Sequence, residues 1–358
     1  MKRAIISAWV GAGNVGDELI LSATLALLRH RGLDVVVPSL NPAETEATHQ
    51  VRALHHLDIQ GLQRALRRCD LLVFGGGGLV QDRSSPWSPL YQCARPRRAR
   101  QLGIPVLALG IGAEPLRQPT SRWAVREALT DHVGVVARDS ESAEVLRSLG
   151  VSQVRVGADL ALTLTSRPIA PAPRIVTCLR NAGEQPGLLP SVLRRQALEP
   201  TRIANLASQL RDLSDASGLP VSLVAMDGRR DLEFANAVAR ELGDAAEKVV
   251  APTVEQLLGE VGASHLVVTT RYHGAVAAAL TSRPAVLFGY APKVVSLSKQ
   301  LPRSTRLLPD SPSGYRRLTS TAMQLLGQDP PRILEEAREL RDAAAVNTAA
   351  LDEVLRER

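Results

Sequence analysis

Aromatic residues, cysteines and lysines are all scarce in this sequence of 358 residues. The ten aromatic residues make up 3% of the chain and do not alternate with basic residues, as they would on a surface that stacks single-stranded nucleic acid. Cys69, Cys93 and Cys178 are widely spaced and odd in number, which excludes a disulfide framework and a compact cysteine metal site. This use of cysteine is typical of a reducing cytosol, where we expect the protein to act.

Long hydrophobic runs are also missing. No apolar stretch approaches the ~18–20 residues that a membrane span needs. The apolar start, Ala4–Val10, leads into a glycine-rich turn and an amphipathic helix, so we interpret it as a first buried strand and not as a signal peptide. The composition, 45% hydrophobic and 22% charged, is that of a globular protein, and the length fits two domains.

Positive charge is present in excess and is almost entirely arginine. Of the 43 basic residues only four are lysines, and the net charge of +7 favours anionic partners such as phosphates, carboxylates or an anionic membrane face. Codon bias toward arginine is the alternative explanation of this composition. Because aromatic residues are few, nucleic acid is not favoured as the partner.

Short apolar runs rich in β-branched residues alternate with helical patterns along the chain, which predicts a parallel α/β architecture. Three prolines within residues 166–173 predict an extended linker. We therefore expect two Rossmann-like domains, over residues 1–165 and 174–310, and a helical tail over residues 311–358. Domains of this kind face each other across a cleft and bind ligands at the loops after their strands.

The strands of this architecture can be placed from the apolar runs. In the first domain we predict Ala4–Val10, Val35–Pro38, Leu71–Phe74, Val106–Gly110, Val133–Ala137 and Val154–Val156. In the second we predict Ile175–Leu179, Val221–Ala225, Val249–Val250, Leu266–Val268 and Ala285–Phe288.

The loop after the first strand, GAGNVGDE over residues 11–18, fits the G-x-G-x-x-G pattern of dinucleotide sites. Asp17 and Glu18, however, lie at the start of the following helix, where they would repel a pyrophosphate. The second strand also ends without an acidic residue for a ribose. A tight turn explains the glycines but not the whole string. Asn14, Asp17 and Glu18 could instead hydrogen-bond the hydroxyl groups of a sugar.

Four consecutive glycines, residues 75–78, follow the third strand. Such a run loses backbone entropy and side-chain packing, which a simple turn does not require. It fits a site where the backbone approaches a ligand or the facing domain, with Gln81 and Asp82 available for polar contacts. A purely structural crossover is the alternative.

Two further strand ends carry cations and a titratable group. Arg138 and Asp139 follow the fifth strand, and Arg271, Tyr272 and His273 open a helix after a strand of the second domain. Histidine, with an ordinary pKa near 6.5, can deliver a proton at neutral pH. Lys293, one of the rare lysines, lies in the loop GYAPK. No histidine and cysteine spacing predicts a metal site.

The strings GNVGDELIL, DLLVFGGGGLVQD, VVARDSES, TTRYHGAVAAAL and GYAPKV occur in this order and resemble the polysaccharide pyruvyl transferases. The similarity covers about residues 4–301 and is strongest to the bacterial branch that pyruvylates secondary cell-wall polysaccharide for S-layer anchoring. The resemblance implies a GT-B-like fold. It also implies transfer of pyruvate from phosphoenolpyruvate to a sugar as a cyclic ketal, with no redox cofactor and no metal.

The resemblance also implies roles for individual residues. The family's Arg-x-His element matches Arg271 and His273, and Tyr272 stands where other members often carry an aliphatic residue. Arg138, Arg271 and Lys293 would bind the carboxylate and phosphate of phosphoenolpyruvate, and His273 would be the general acid. From the geometry of the cleft, and not from the resemblance, we expect the acceptor to be bound by Asn14, Asp17, Glu18, Gly76, Gly77 and Gln81.

The expected acceptor is a lipid-linked aminosugar, and the arginines of residues 95–100 could contact the inner membrane face or form a solvated helix face. Three other functions stay open from the sequence. They are a GT-B glycosyltransferase with a nucleotide-sugar donor, a sugar-phosphate sensor without catalysis, and a dinucleotide-dependent oxidoreductase.

Overall fold

The computed structural model describes residues 2–130, 133–165, 169–181, 197–328 and 330–357. In the first half of the chain a parallel sheet forms with the strand order β3-β2-β1-β4-β6-β7-β8, and β5 pairs with β6. Its strands are β1 (Arg3–Ser7), β2 (Asp34–Ser39), β3 (Arg52–His55), β4 (Leu71–Phe74), β5 (Gly77–Val80), β6 (Val106–Ala113), β7 (Val133–Ala137) and β8 (Val154–Val156).

A second parallel sheet follows, with the order β11-β10-β9-β12-β13-β14. Its strands are β9 (Ile175–Cys178), β10 (Val221–Val224), β11 (Ala246–Val250), β12 (Leu266–Thr269), β13 (Ala285–Gly289) and β14 (Thr305–Pro309). The predicted linker, residues 166–173, falls between the two sheets, and its first three residues lie outside the described ranges. We call the two halves the first and the second unit.

Helices connect the strands and cover both sheets. They are α1 (Val15–Arg29), α2 (Pro42–His49), α3 (Ile59–Leu66), α4 (Ser88–Gln101), α5 (Pro119–Leu129), α6 (Ser140–Ser148), α7 (Pro200–Ser217), α8 (Asp231–Leu242), α9 (Val254–Ala263), α10 (Tyr272–Leu280), α11 (Pro292–Gln300), α12 (Pro312–Tyr315), α13 (Leu318–Leu326) and α14 (Pro330–Arg356). No helix within the described ranges combines the length and the apolar character that a membrane span requires.

The central strands are buried along their whole length, as the sequence predicts for a parallel sheet covered on both faces. Every residue of β4 and of β9 is buried, and the register pairs Leu72 with Val106 and Val176 with Val267. Three hydrophobic clusters result. Two lie on the outer faces of the sheets, and the largest joins the two units through α1, α9, α10 and α14.

The strand order creates one topological switch point in each unit. In the first sheet the chain goes from β1 outward to β3 and then returns to place β4 on the other side of β1. In the second sheet β9 is flanked in the same way by β10 and β12. Parallel sheets bind ligands in the crevice at such a point, outside the carboxyl ends of the strands. Residues 11–18, the glycine run and Arg271–His273 follow β1, β4 and β12, so all three motifs lie at these crevices.

Helix α14 returns from the second unit and packs on the first. The Asn347 amide donates to the carbonyl of Ala158 over 3.1 Å, and the Arg31 guanidinium pairs with Asp352 at 2.6 Å. This helix, within the predicted tail, therefore contributes to the core that joins the two units.

Candidate functional site

The loop that precedes α1 is the place where the first unit contacts the loop after β10. The Val15 amide donates to the Met226 carbonyl over 2.8 Å, and the Gly228 amide donates to the Gly13 carbonyl over 3.1 Å. Asn14 caps α1, because its side-chain oxygen accepts from the Gly16 amide over 3.1 Å. Its amide nitrogen donates to Asp17 over 2.8 Å. Asn14 and Asp17 are thus held together at the junction of the units.

His273 lies directly against this loop. It is the second residue of α10, and its side chain is 13% exposed. A Cβ atom built on Gly16 would lie 2.7 Å from Cγ and 2.8 Å from Cβ of His273. Real Cβ atoms essentially never approach so closely, so only glycine at position 16 lets α1 and the imidazole adopt these positions. The string GNVGDELIL of the first unit and the string TTRYHGAVAAAL of the second unit therefore meet at this contact.

Asp159 stands behind the imidazole. Its Oδ2 lies 3.8 Å from Nε2 of His273, and neither of these two buried atoms has a hydrogen-bond partner among the described residues. Its Oδ1 accepts from the Ala161 amide over 3.0 Å and so fixes the carboxylate at the start of a 3₁₀ turn. Burial opposes ionisation, but His273 and Arg138 together hold the pKa of Asp159 below its usual range. A charged carboxylate therefore faces one nitrogen of His273.

Arg138 is enclosed by aromatic and acidic neighbours. It is 2% exposed, its Nε donates to Asp139 over 3.1 Å, and its guanidinium carbon lies 4.4 Å from the ring centre of Tyr272. Gly112 makes room for it, since a Cβ there would lie 2.7 Å from Nε. In this conformation Arg138 supports Tyr272 and Asp159 beneath His273 and does not lie open to a ligand.

Arg271 forms a bidentate ion pair with Asp231. Its Nε donates to Asp231 over 2.7 Å, and Nη2 donates to the other carboxylate oxygen. Asp231 is 1% exposed and also accepts from the Asp227 amide over 3.0 Å. Because the guanidinium is planar and rigid, this pair also fixes the direction of Nη1. Nη1 is then the guanidinium nitrogen that is left to bind an anion.

A second group of cations lies at the ends of β9 and β13. The Arg180 guanidinium and the Lys293 ammonium lie 5.2 and 5.7 Å from the ring centre of Tyr290. Lys293 opens α11, and its charge also acts on Asp17 across the junction. The positive groups of the second unit thus face the acidic start of α1.

The pKa of the Asp17 carboxyl is raised at this junction. Burial raises its pKa to about 6, and Glu18 acts in the same direction. His273, Lys293 and the Asn14 amide favour the charged form and limit the rise. Asp17 therefore exchanges a proton near neutral pH, beside a histidine.

Two residues expected to bind the acceptor, Glu18 and Gln81, have hydrogen-bond partners within the first unit. Glu18 accepts from the Gly11 amide over 2.9 Å and lies 2.8 Å from Nε2 of His49. Gln81 makes two hydrogen bonds to Ser84, at 2.7 and 3.1 Å, and so closes its own turn. The structure holds these two side chains within the first unit.

Close packing explains Gly76 and Gly77 of the glycine run, whereas a Cβ on Gly78 would meet nothing within 4 Å. A Cβ on Gly76 would lie 3.1 Å from the Leu109 carbonyl and 3.3 Å from Leu160, the residue after Asp159. Gly77 has a φ of +95°, which favours glycine, and lies against Ile20 of α1. Gly76 and Gly77 thus let α1 and Asp159 approach the sheet.

Asp159 and Asp231, the ion-pair partners of His273 and Arg271, were not predicted from the sequence. Each follows a strand of a parallel sheet and opens a helical turn, which is the signal that selected Arg138 and His273. No group of three or more His, Cys, Asp or Glu side chains that could hold a metal ion occurs among the described residues.

The Gly16 contact predicts a large effect of one methyl group. Replacing Gly16 with alanine should displace His273 or α1 and lower stability by about 1–3 kcal/mol through overpacking. The matched control is Gly259→Ala in α9, where a Cβ meets nothing within 4 Å and alanine should be neutral or stabilising. Thermal unfolding of both variants measures the difference. Equal melting temperatures for the two would contradict the contact.

The raised pKa of Asp17 predicts a variant that gains stability. Its folded pKa of about 6 exceeds the ordinary 3.8, so the protein binds a proton on folding between these values and loses stability as the pH rises through them. Asp17→Asn removes this loss and should stabilise the protein by about 1–2 kcal/mol near pH 8. Near pH 4 the gain should vanish. Urea unfolding at both pH values tests this, with exposed Asp244→Asn as the control.

A family model for polysaccharide pyruvyl transferase matches residues 14–292, a range that contains Asp17, Arg271 and His273 and ends one residue before Lys293. The chain belongs to the polysaccharide pyruvyl transferase family. It is therefore a transferase, and the family supports pyruvylation of a polysaccharide in general. No curated protein matches the chain.

Solved structures share the fold of this pyruvyl transferase family member at low sequence identity. A putative UDP-N-acetylglucosamine 2-epimerase from Listeria monocytogenes has a TM-score of 0.64 and 12% identity, over 100% of this chain and 98% of its own. MnaA from S. aureus, solved with UDP, has a TM-score of 0.62 and 13% identity, over 96% and 91%. The spinosyn rhamnosyltransferase SpnG has a TM-score of 0.59 and 14% identity, over 99% and 100%. The fold is GT-B-like, as the sequence predicts.

Proposed function

We propose that this protein transfers pyruvate from phosphoenolpyruvate to a sugar of a polysaccharide precursor, forming a cyclic ketal, with His273 as the general acid. The proposal rests mainly on the position of His273, which lies against Gly16 and near Asp159 of the first unit and follows Arg271 by two residues. On this proposal residues 174–310 bind the donor and residues 1–165 bind the acceptor.

The donor needs fixed positive charge, because phosphoenolpyruvate carries a carboxylate and a phosphate. Arg271 and Lys293 supply it from the ends of β12 and β13, and Asp231 holds the guanidinium in a fixed orientation. Arg138 acts on the donor through its charge and through its contact with Tyr272. If Arg138 binds phosphoenolpyruvate directly, it first has to turn away from Asp139.

The reaction needs one proton at carbon and releases one phosphate. His273, held from behind by Asp159, donates a proton to the methylene carbon, and C2 becomes electrophilic. A first sugar hydroxyl adds to C2, and the C–O bond to phosphate then breaks. A second hydroxyl closes the ring. One of the two hydroxyl protons restores the proton that His273 gave, and the other leaves with the phosphate.

Asp17 is placed to take the proton of an incoming hydroxyl. A carboxylate with a pKa near 6 is mostly charged at neutral pH and is a stronger base than an ordinary aspartate. Asn14 donates to it over 2.8 Å and can offer its oxygen to the same sugar. On this proposal Gly76, Gly77, Glu18 and Gln81 shape the acceptor side through their packing, without direct contact.

The resemblance of the sequence favours a lipid-linked aminosugar of a secondary cell-wall polysaccharide, of the kind that anchors an S-layer, as the acceptor. We accordingly propose a cytoplasmic protein that works at the inner membrane face. Phosphoenolpyruvate is then a co-substrate, and the chemistry requires no metal or redox cofactor.

A glycosyltransferase or epimerase that binds a nucleotide sugar is the second candidate. It is favoured because the chain shares its fold with a putative UDP-N-acetylglucosamine 2-epimerase and with a rhamnosyltransferase. The two candidates differ in the ligand of the second unit.

Calorimetric titration separates these candidates. Phosphoenolpyruvate should bind, and Lys293→Gln should weaken its binding about tenfold or more, since a charge-assisted contact is lost. The matched control is Lys299→Gln, whose ammonium pairs with Glu141 on the surface and should leave binding unchanged. Binding of UDP or dTDP without binding of phosphoenolpyruvate would favour the second candidate.

A further inference from the structure

The excess positive charge of the chain is concentrated on one face of the first unit. Residues 57–68, 87–101 and 115–129, which contain α3, α4 and α5 with flanking residues, hold ten of the 43 basic residues and two of the 36 acidic ones. The remaining sequence carries 33 basic and 34 acidic residues and is almost neutral. We call the surface made by these three segments the α3–α5 face. It accounts for the whole net charge of +7.

These arginines lie mostly at the surface. Seven of the ten are exposed, namely Arg64, Arg67, Arg68, Arg98, Arg117, Arg122 and Arg126. Of the two acidic residues, Asp58 caps α3 by accepting from the Gly61 amide over 2.9 Å. Little negative charge therefore offsets the arginines locally, and the face attracts polyanions.

Exposed apolar side chains occupy the same face. Ile59, Leu57 and Trp87 are the most exposed large hydrophobic residues in the described part of the chain, at 67%, 64% and 60%. Trp123 is 48% exposed, and the Arg97 guanidinium lies 5.0 Å from its ring centre. Exposed tryptophan and aliphatic side chains on a surface that also carries arginines are typical of proteins that enter the interfacial region of a bilayer.

The three helices hold these side chains at one edge. The Ser121 hydroxyl reaches the Pro86 carbonyl over 3.4 Å near the helix starts, and Arg100 bonds the Glu127 carbonyl near their ends, so α4 and α5 run parallel. His56, beside Leu57, lies 2.7 Å from the Tyr91 hydroxyl, one turn after Trp87. Because each helix follows a strand of a parallel sheet, all begin at the carboxyl edge, where the site also lies.

We propose that the α3–α5 face docks on an anionic membrane surface, with Leu57, Ile59, Trp87 and Trp123 entering the headgroup layer and the arginines contacting lipid phosphates. The exposed aliphatic residues favour a bilayer over a soluble acidic polymer, which would leave Leu57 and Ile59 in water. Docking brings the carboxyl edge of the first unit to the membrane, where a lipid-linked sugar would be reached. The proposal concerns binding alone and stands whether or not phosphoenolpyruvate is the donor.

Co-sedimentation of the full chain with vesicles tests this. The protein should bind phosphatidylcholine vesicles that contain about 30% phosphatidylglycerol and should not bind pure phosphatidylcholine. Arg117→Gln/Arg122→Gln, which removes two exposed arginines near the start of α5, should weaken binding about 25-fold, at roughly fivefold for each arginine. Trp87→Ala/Trp123→Ala should weaken it about tenfold or more.

Matched controls keep the test specific. Arg316→Gln/Arg317→Gln and Met323→Ala/Leu334→Ala remove exposed residues elsewhere and should leave binding unchanged. Three results would overturn the proposal. One is failure to bind the anionic vesicles, and the second is equal loss in the control pairs. The third is binding of soluble polyphosphate without binding of vesicles, which would identify a polyanion site instead.

Discussion

Replacing His273 with glutamine should lower the turnover of pyruvyl transfer by about 10³-fold while phosphoenolpyruvate still binds. Glutamine keeps a polar side chain of similar size against Gly16 but has no proton to give at neutral pH. The cations that bind the donor belong to other residues, so binding should change little. Calorimetry and phosphate release on the same preparation separate the two effects. His265→Gln is the control, because that ring bonds the Ala172 carbonyl away from the junction.

Asp159 should act through the same histidine. Asp159→Asn keeps the contact with the Ala161 amide but removes the charge that faces Nε2, so turnover should fall about 10²-fold. The fall should appear in kcat, while the KM for phosphoenolpyruvate changes little, and misfolding would not produce this split. Full activity of His273→Gln, or an unchanged kcat in Asp159→Asn, would contradict these roles.

Removing Asp231 should produce the largest loss of stability. Asp231→Ala leaves the buried Arg271 guanidinium without its bidentate partner and the Asp227 amide without an acceptor. Breaking a buried ion pair from one side costs about 3–5 kcal/mol. Equilibrium unfolding in urea measures this, and binding of phosphoenolpyruvate should weaken in the same variant.

A surface pair provides the control for this prediction. Arg155 and Glu353 pair with side chains that are about half exposed, so Glu353→Gln should leave the free energy of unfolding almost unchanged. If Asp231→Ala and Glu353→Gln lower the free energy of unfolding equally, the ion pair between Asp231 and Arg271 stabilises the protein no more than a surface pair does.

The alternation of strands and helices was largely readable from the sequence. Leu71–Phe74, Val133–Ala137 and Val154–Val156 were predicted with their observed bounds, because short buried strands of β-branched and aliphatic residues are flanked by clear turns. Three strands were missed. β5 consists partly of glycine, and the polar edge strands β3 and β14 lack the continuous apolar run of a central strand.

The candidate functional residues were predicted where charged or titratable side chains follow a predicted strand. His273, Arg271 and Asp17 follow strands that end at the two switch points, and the structure brings their loops together. The partners of these residues could not be derived. Asp159 and Asp231 lie 114 and 40 residues away from His273 and Arg271 in sequence, and a lone aspartate at a helix start is usually a cap. Only the packed units show which aspartate faces which cation.

The most direct measurement is release of phosphate from phosphoenolpyruvate, with and without lipid-linked or nitrophenyl aminosugars, followed by mass spectrometry of the sugar. We expect phosphate release that depends on the acceptor and is lost in His273→Gln. The sugar should become heavier by one ketal-linked pyruvyl group. Phosphoenolpyruvate left intact in the presence of every acceptor, while a nucleotide sugar is consumed, would contradict this expectation.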